Sequence, residues 1–564
     1  MAWDTATLTA QLASLRSELD AIPHGPTIDG SAETRHLTRQ LAEQIDDYLL
    51  PRLANLDAPL LAAIGGSTGA GKSTITNSLI GEEVTATGLL RPTTRVPVLV
   101  CDPASQRWFT EGGVLPDLPR ITGTGTGSGS GLRIVTSEVL AEGLAVLDTP
   151  DIDSVEVVNH ELAGQLLGAA DLWLFVTTAA RYADAVPWEY LAMAGERAIA
   201  MAVAINRIPP GGESEVTAHF ATMLDAHELD DVTVFPIAET ELDHGRIPAS
   251  HVAAIRDWLL ERAAATADRR RLVQATIEGA LASIPTRLER VASGVEREAA
   301  ALNDLGAIVD HNYQQAKTAF GERVEAGTLL REEVLARWQE YVGGGQIMKS
   351  LQGGISRIRD ALRSVFVGGP SAAAEVQGEL TSSLAATIIE AADAAADATV
   401  ERWEKSPAGR QLLSDDARTL ARPGGSLSDL AETEITAWQD HVLGLVRQQA
   451  EGKRLAARAL SLGINTIGVS LMVVMFAHTG GITGGEVAVA GGAATVSQAL
   501  LTAVFGENAV RDLARQARSN LIERVERLLD DDAARFHRRL DDGPTEEDGA
   551  RIRALGASLG GTTS

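Results

Sequence analysis

A single cysteine, Cys101, stands in 564 residues. That excludes a disulfide scaffold and a cysteine-based zinc site, and it suits a reducing compartment. Aromatics make up 4% of the chain. Alanine, leucine and arginine dominate instead, which favours helix over sheet in most of it. Positive charge is short as well: the net charge is −27, which argues against broad nucleic-acid binding. Lysine is confined to positions 72, 317, 349, 405 and 453. The opening residues Met1-Ala2-Trp3-Asp4 show no basic region and no apolar run, so no signal peptide is expected. His160, His244 and His311 are scattered without the spacing of a metal site. The length exceeds what one core supports, and about three or four structural units are expected.

Against these absences one motif stands out. Gly66-Ser67-Thr68-Gly69-Ala70-Gly71-Lys72-Ser73 is a complete G-x-x-x-x-G-K-[ST] phosphate-binding loop. It follows the apolar run Leu60–Ile64, which reads as a buried strand, and helix-compatible residues Thr74 to Ile80 follow it. Glycines let backbone N–H groups turn inward around a polyphosphate, and the following helix points its positive end at the same anion. Lys72 is placed to reach the outer phosphates, and the Ser73 hydroxyl to hold Mg²⁺.

The rest of residues 58–250 supports an α/β nucleotide domain. Further apolar runs at Val96–Val100, Leu144–Leu147, Leu172–Val176, Met201–Ile205 and Val232–Phe235 are continuous rather than alternating, as in parallel strands covered on both faces. Thr122 to Gly131 is a Gly/Thr/Ser tract expected to be a surface loop. Arg91-Pro92-Thr93-Thr94-Arg95 precedes the second strand, where P-loop GTPases place the switch threonine that completes Mg²⁺ coordination; Thr94 is the candidate, with Thr93 beside it. Asp148 ends the third run and is a candidate to hold Mg²⁺ through its water shell. The GTPase pattern D-x-x-G carries Asp151 in place of its glycine, and Ile152 stands where many GTPases keep a water-positioning glutamine. Asp151 and Asp153 are either part of the site or solvated loop residues. Asn206 and Arg207 lie where guanine readers have N-K-x-D, but Pro209 replaces the aspartate that accepts from the base. Asp243 or Glu239 is a candidate substitute. Arg181 and Tyr182 either line the switch region or pack the sheet edge.

With these pieces in order, the chain resembles the dynamin-like GTPases of bacteria. The resemblance is carried by Gly66–Ser73 with Thr74 and Asn77, Arg91–Arg95, Leu147–Ser154, Asn206-Arg207 and the run Trp173 to Asp184. It implies a P-loop GTPase domain at 58–250, in which Lys72, Thr94 and Asp148 serve hydrolysis. In it Gly66, Ser67, Thr68, Gly69, Ala70, Gly71, Lys72, Ser73, Thr74, Asn206 and Arg207 bind nucleotide, and Ser73, Thr94 and Asp148 hold Mg²⁺. The family's loop often has a catalytic Gln or Ser near Thr68 and Gly69. With Asp151 and Pro209 also departing from the pattern, turnover is expected to be slow or to need a second subunit.

Outside that domain the expectation is helical. Leu8, Leu12, Leu15 and Leu19, and then Leu37, Leu41, Ile45 and Leu49, recur at helical spacing. Residues 1–57 therefore read as two amphipathic helices packing on a stalk or neck, with Pro51 ending the second. Residues 251–455 read as a helical stalk, punctuated at Gly343-Gly344-Gly345, Gly368-Gly369-Pro370 and Pro423-Gly424-Gly425. Arg269-Arg270-Arg271 reads as a solvated helix start.

Residues 456–508 are different. Between Arg458 and Glu486 no residue is charged, and a second uncharged stretch runs from Val487 to Gly506. Each half is roughly 20 residues, long enough as helix to cross a bilayer. Basic residues flank both ends, which fits a membrane-inserting or transmembrane hairpin whose ends stay cytoplasmic. The other reading is a buried hairpin inside a helical bundle. Residues 509–545 read as an amphipathic helix that partners the N-terminal helices, and 546–564 as a disordered tail.

The fold expectation is thus a parallel α/β P-loop domain plus a large all-α bundle with an apolar hairpin. The first functional reading is a GTPase that couples GTP hydrolysis, with Mg²⁺, to membrane remodelling on the cytoplasmic face of the plasma membrane. Its expected partners are lipid, through residues 459–506, and a second copy through its G domain or a paralogous subunit, with no nucleic acid. The alternative is a P-loop ATPase or nucleotide-gated regulator of a protein partner. A transporter ATPase lacks its L-S-G-G-Q signature here.

Overall fold

The computed structural model describes residues 4–86, 96–111, 114–116, 118–122, 131–152, 157–196, 199–229, 232–327, 329, 338, 370–414, 417–450, 464–476 and 492–563. The chain forms two compact units. The first comprises Met1–Pro23, Asp29–Arg297 and Pro544–Ser564; the second comprises His24–Ile28 and Glu298–Gly543.

The first unit is built on an eight-stranded sheet. Its strands are β1 (Leu60–Gly66), β2 (Val98–Cys101), β3 (Arg120–Thr122), β4 (Leu132–Thr136), β5 (Leu144–Asp148), β6 (Leu172–Thr178), β7 (Ala200–Ile208) and β8 (Thr233–Ala238), in spatial order β3-β4-β2-β5-β1-β6-β7-β8. All six apolar runs form strands. β3 and β4 were not among them, because β4 alternates buried and half-buried residues and carries Arg133, so it lacks the continuous apolar signature. The sheet is not wholly parallel either: β2 pairs antiparallel with β5, with Val98 opposite Asp148. Strand alternation divides β1 between two cores. Leu60, Ala62 and Ile64 face one, and Leu61 and Ala63 face the other.

Helices cover the sheet. In chain order they are α1 (Thr5–Asp20), α2 (Ser31–Gln44), α3 (Leu50–Ala54), α4 (Lys72–Ile80), α5 (Gln106–Thr110), α6 (Val157–Gly168), α7 (Ala185–Glu196), α8 (Glu213–Ala226), α9 (Ala249–Ala264) and the start of α10 (Thr266–Glu325). Asp4 caps α1 by accepting from Ala6 N at 3.2 Å. The leucines at 8, 12, 15 and 19 are all buried, as their spacing predicted. Pro51 does not end the second helix. A π turn, Ile45–Leu49, leads into α3, whose first turn accommodates the proline without losing a helical donor.

Among the described residues the second unit is all α. Beyond the later part of α10 it contains α11 (Pro370–Glu404), α12 (Pro407–Leu413), α13 (Ala417–Leu420), α14 (Leu427–Ala450), α15 (Ile464–Phe476), α16 (Gly492–Phe505) and α17 (Glu507–His537). Buried tryptophans knit it together: Trp403 donates to Leu305 O at 3.1 Å, Trp438 to Ala517 O at 2.8 Å and Trp338 to Ser497 Oγ at 2.8 Å. Pro423-Gly424-Gly425 does break the chain between α13 and α14, where Gly424 N donates to Asp532 Oδ1 at 2.8 Å. The other two glycine breaks, at 343–345 and 368–370, involve residues outside the described ones.

Three expectations need correction. First, residues 546–564 are not a disordered tail: α18 (Glu546–Thr563) buries Ile552 and Leu559 in the first unit's core. Its Arg553 reaches Glu289 and Glu296 of α10. A glycine- and alanine-rich composition hid a helix that is stable only when packed. Second, α18 rather than α17 is the C-terminal partner of the N-terminal helices; α17 buries its stripe in the second unit. Third, α15 does not face outward. Thr466 through Phe476 are all buried in the bundle core, and among the described residues no helix is long and apolar enough to cross a membrane. The glycine-rich break at 480–485 lies outside the described residues.

Candidate functional site

The phosphate-binding loop bridges β1 and α4 at the carboxyl edge of the sheet. Two glycines are dictated by close approach. A Cβ on Gly66 (φ 146°) would lie 2.0 Å from Val176 O on β6. One on Gly71 (φ 99°), the N-cap just before α4, would lie 2.6 Å from Asn206 Nδ2. Lys72, buried at 5% exposure, folds over the loop: its Nζ donates to Gly66 O at 2.9 Å and Ser67 O at 3.1 Å, and it pairs with the Asp151 carboxylate. The Ser67 hydroxyl, buried beside it, has no hydrogen-bond partner among the described residues.

Asp148 is delivered by β5, in register with Ile64 of β1. It is fully buried. Its Oδ2 accepts from Ser73 Oγ and from Thr85 Oγ1, each at 2.7 Å, while Oδ1 has no partner among the described residues. Burial pushes its carboxyl above the usual carboxylate range, against the two hydroxyl bonds and the Lys72 charge. A buried carboxylate oxygen left without a donor, two hydroxyls converging on its other oxygen and a buried ammonium nearby suit a hydrated divalent cation bound with phosphate. Among the described residues no group of three or more His, Cys, Asp or Glu side chains gathers for a metal.

Thr85 is the residue that sequence reading missed. Asn77, one helical turn beyond Ser73, positions it: Asn77 Oδ1 accepts from Val84 N at 2.9 Å and Thr85 N at 3.0 Å, and its Nδ2 donates to Thr85 O at 2.8 Å. No local motif marks Thr85. The only signal was Asn77, an amide side chain inside a nine-residue helix. Thr94, with the rest of 87–95, lies outside the described residues, as does Asp153.

Downstream of β5 the chain hugs β1. Thr149 N donates to Ile64 O and Ile152 N to Gly66 O, both at 3.3 Å. Ile152 is fully buried in a sheet core and presents nothing to solvent. Asp151, between these anchors, is brought to Lys72 and is not a solvated loop residue.

At the far side of the loop, Asn206 Nδ2 donates to Ala70 O at 2.9 Å and its Oδ1 accepts from Arg207 N at 2.9 Å. Arg207 takes a left-handed backbone (φ 57°) at a register shift between β7 and β8. Pro209 follows with no acceptor side chain. Of the two candidate substitutes, Glu239 is next to it across the sheet, its amide donating to Ile208 O at 2.8 Å. Asp243 instead closes its own turn with Arg246. Arg181 and Tyr182 part company. Arg181 Nη1 donates to Thr68 O at 3.2 Å, on the loop, whereas Tyr182 OH meets His219 at 2.9 Å and packs on Phe220 of α8. Of the three arginines 269–271, Arg270 is taken up by Asp57 and Arg271 by Asp268, which matches a solvated helix start.

The first unit thus has the P-loop GTPase fold, and the second is an all-α bundle. Along its full length the chain is similar to the dynamin-like GTPases of bacteria. One such structure belongs to an oligomerised bacterial dynamin pair described as sensing and tethering membranes over long range. Identity is 10% over 100% of this chain and 96% of that one, with a TM-score of 0.43. Another is LeoA, a bacterial dynamin GTPase from ETEC, at 12% identity over 100% and 98% of the two chains, TM-score 0.24. A third is Era of Aquifex aeolicus bound to GDP and AlF4, at 23% identity over 35% of this chain and 56% of that one, TM-score 0.24. No protein-family model matches the chain, and no curated protein does.

Proposed function

We propose that this chain is a dynamin-like GTPase whose first unit binds and hydrolyses GTP. The observation that carries the reading is the convergence on one loop of a buried lysine, a buried carboxylate with a free oxygen and a side chain from the guanine-reading strand. Asn206 donates to the same loop that Lys72 closes. Lys72 and the loop amides would hold the β- and γ-phosphates. Ser73 and Asp148 would hold Mg²⁺, with Thr94 as the third oxygen, and the cation would neutralise charge developing on the phosphates. Thr85 orients the Asp148 carboxylate. Asn206 braces the loop beneath the base, and the stem of Arg207 would stack on it. Ile152 offers no group to align water, so hydrolysis is slow in the isolated chain or is completed by a second G domain.

Membrane association belongs to the same reading in its peripheral form. The uncharged stretch with basic flanks supports it, and the burial of α15 argues for contact that does not span. Nucleotide identification by mass spectrometry on purified protein tests the core claim, together with GTP-against-ATP competition. Guanine nucleotide in the wild type and none in Lys72→Ala is the expected result. Adenine in the wild type would move the chain to the ATPase alternative that Pro209 leaves open.

A further inference from the structure

This inference rests on the nucleotide reading above and concerns how that site is regulated. The Lys72 ammonium has three protons to donate. Three acceptors hold it: Gly66 O at 2.9 Å, Ser67 O at 3.1 Å and the Asp151 carboxylate. The two carbonyls belong to the loop backbone and cannot withdraw without reshaping it. The carboxylate is a side chain, 21% exposed, with an open path to solvent.

We propose that Asp151 is an internal competitor for the outer phosphates of a nucleoside di- or triphosphate. Its carboxylate gives Lys72 the anionic oxygen that a phosphate would give, so the nucleotide must displace it to bind, and its return helps the nucleotide to leave. The backbone holds it in place for this role. Thr149 and Ile152 are tied to β1 on either side, and Ile152 is anchored in the core, so the backbone of Pro150 and Asp151 between them is held and Asp151 moves mainly by side-chain rotation. Asp148 plays a different part. It is fully buried, and its bonds go to Ser73 and Thr85 rather than to Lys72. A glycine at position 151, as the usual GTPase pattern has, would leave Lys72 to the phosphate alone. The consequence is a site that binds guanine nucleotide weakly and exchanges it without an exchange partner.

The test compares the full-length wild type with Asp151→Asn and Asp151→Gly. Stopped-flow release of N-methylanthraniloyl-GDP, calorimetric affinity for GDP and GTPγS, and melting curves with and without GDP are measured. Release should slow and affinity rise by about tenfold or more, the scale of one hydrogen bond to a charged group. Without nucleotide the variants should melt lower, because Lys72 has lost a partner, and the rise in melting temperature on adding GDP should grow. Nucleotide binding seen only in the variants also supports the competitor role. If Asp151 merely braces the fold, the variants melt lower but release GDP at the wild-type rate, which overturns the proposal. If Asp151 instead helps to hold the bound nucleotide, release accelerates, which overturns it too. Absence of binding to all three proteins overturns the GTPase reading itself and this inference with it.

Discussion

Asp171 accepts hydrogen bonds from the buried guanidinium of Arg52 and, at 2.7 Å, from the amide of Leu61, which fixes the amino-terminal edge of β1 opposite the phosphate-binding loop. Arg52 also donates to Pro59 O at 2.9 Å, and Tyr48 donates to the other Asp171 oxygen at 3.2 Å. Burial pushes both the Asp171 carboxyl and the Tyr48 phenol up, with the Arg52 charge opposing each rise. Arg52→Ala leaves a carboxylate without its counter-charge and should cost about 3–5 kcal/mol. Urea melts of the variant against wild type measure it. A loss below about 1 kcal/mol would mean that the pair is solvated and of surface type.

Gly66 bears the tightest steric constraint of the loop. In Gly66→Ala the new methyl meets Val176 O, so β1 and β6 must separate where they are in register. The cost should exceed the about 1–3 kcal/mol of ordinary overpacking. Gly71→Ala should be milder, since it displaces the Asn206 amide rather than backbone. Thermal melts and GDP titration of the two variants give the ranking.

Much of this was legible in sequence, for identifiable reasons. The loop motif sits on a strand whose every residue is apolar or glycine, and six strands announce themselves as continuous apolar runs. Lys72, Ser73, Asp148 and Asn206, each picked out by a short motif, lie around one loop. What could not be read depends on contacts distant in sequence. Thr85 reaches Asp148 only because Asn77 bends the chain after α4. Asp151 meets Lys72 only because the chain after β5 is tied to β1. The hydropathy of α15 suits a bilayer and a bundle core equally, and α18 is too rich in glycine to stand as a helix without its partners.

Val473 separates those two fates of α15. It is fully buried in the second unit. Val473→Asp places an unpaired charge in that core and should cost several kcal/mol, enough to unfold the bundle. Limited proteolysis reports the loss. A variant that stays protease-resistant yet no longer sediments with anionic liposomes would instead mean that the helix faces lipid.

Cys101, at the end of β2, is fully buried, and burial pushes its thiol up to about 12. The reactive thiolate is therefore scarce at neutral pH. Iodoacetamide should label the chain only after denaturation. Stoichiometric labelling of the native protein, read by mass spectrometry, would contradict the placement of β2.

Arg553 ties α18 to α10 through Glu289 and Glu296, and its hydrogen bonds hold both carboxyls below the usual range. Their folded values lie below the unfolded ones. This contribution is therefore present above the ordinary glutamate range and is lost as the pH falls through the lowered values. Protection factors at 546–563, corrected for the intrinsic exchange rate at each pH, should fall on acidification in the wild type. In Arg553→Gln they should already be lower at neutral pH, with a smaller further response to acid.

The discontinuous make-up of the two units bears on synthesis. The first unit recruits Pro544–Ser564 and the second runs to Gly543, so neither is complete until synthesis has passed residue 543. The sheet is made early, and the part of its unit's core that Ile552 and Leu559 fill stays open until then. Nascent chains of this protein should accordingly lean on chaperones, and C-terminal truncations should yield aggregates instead of shorter working proteins.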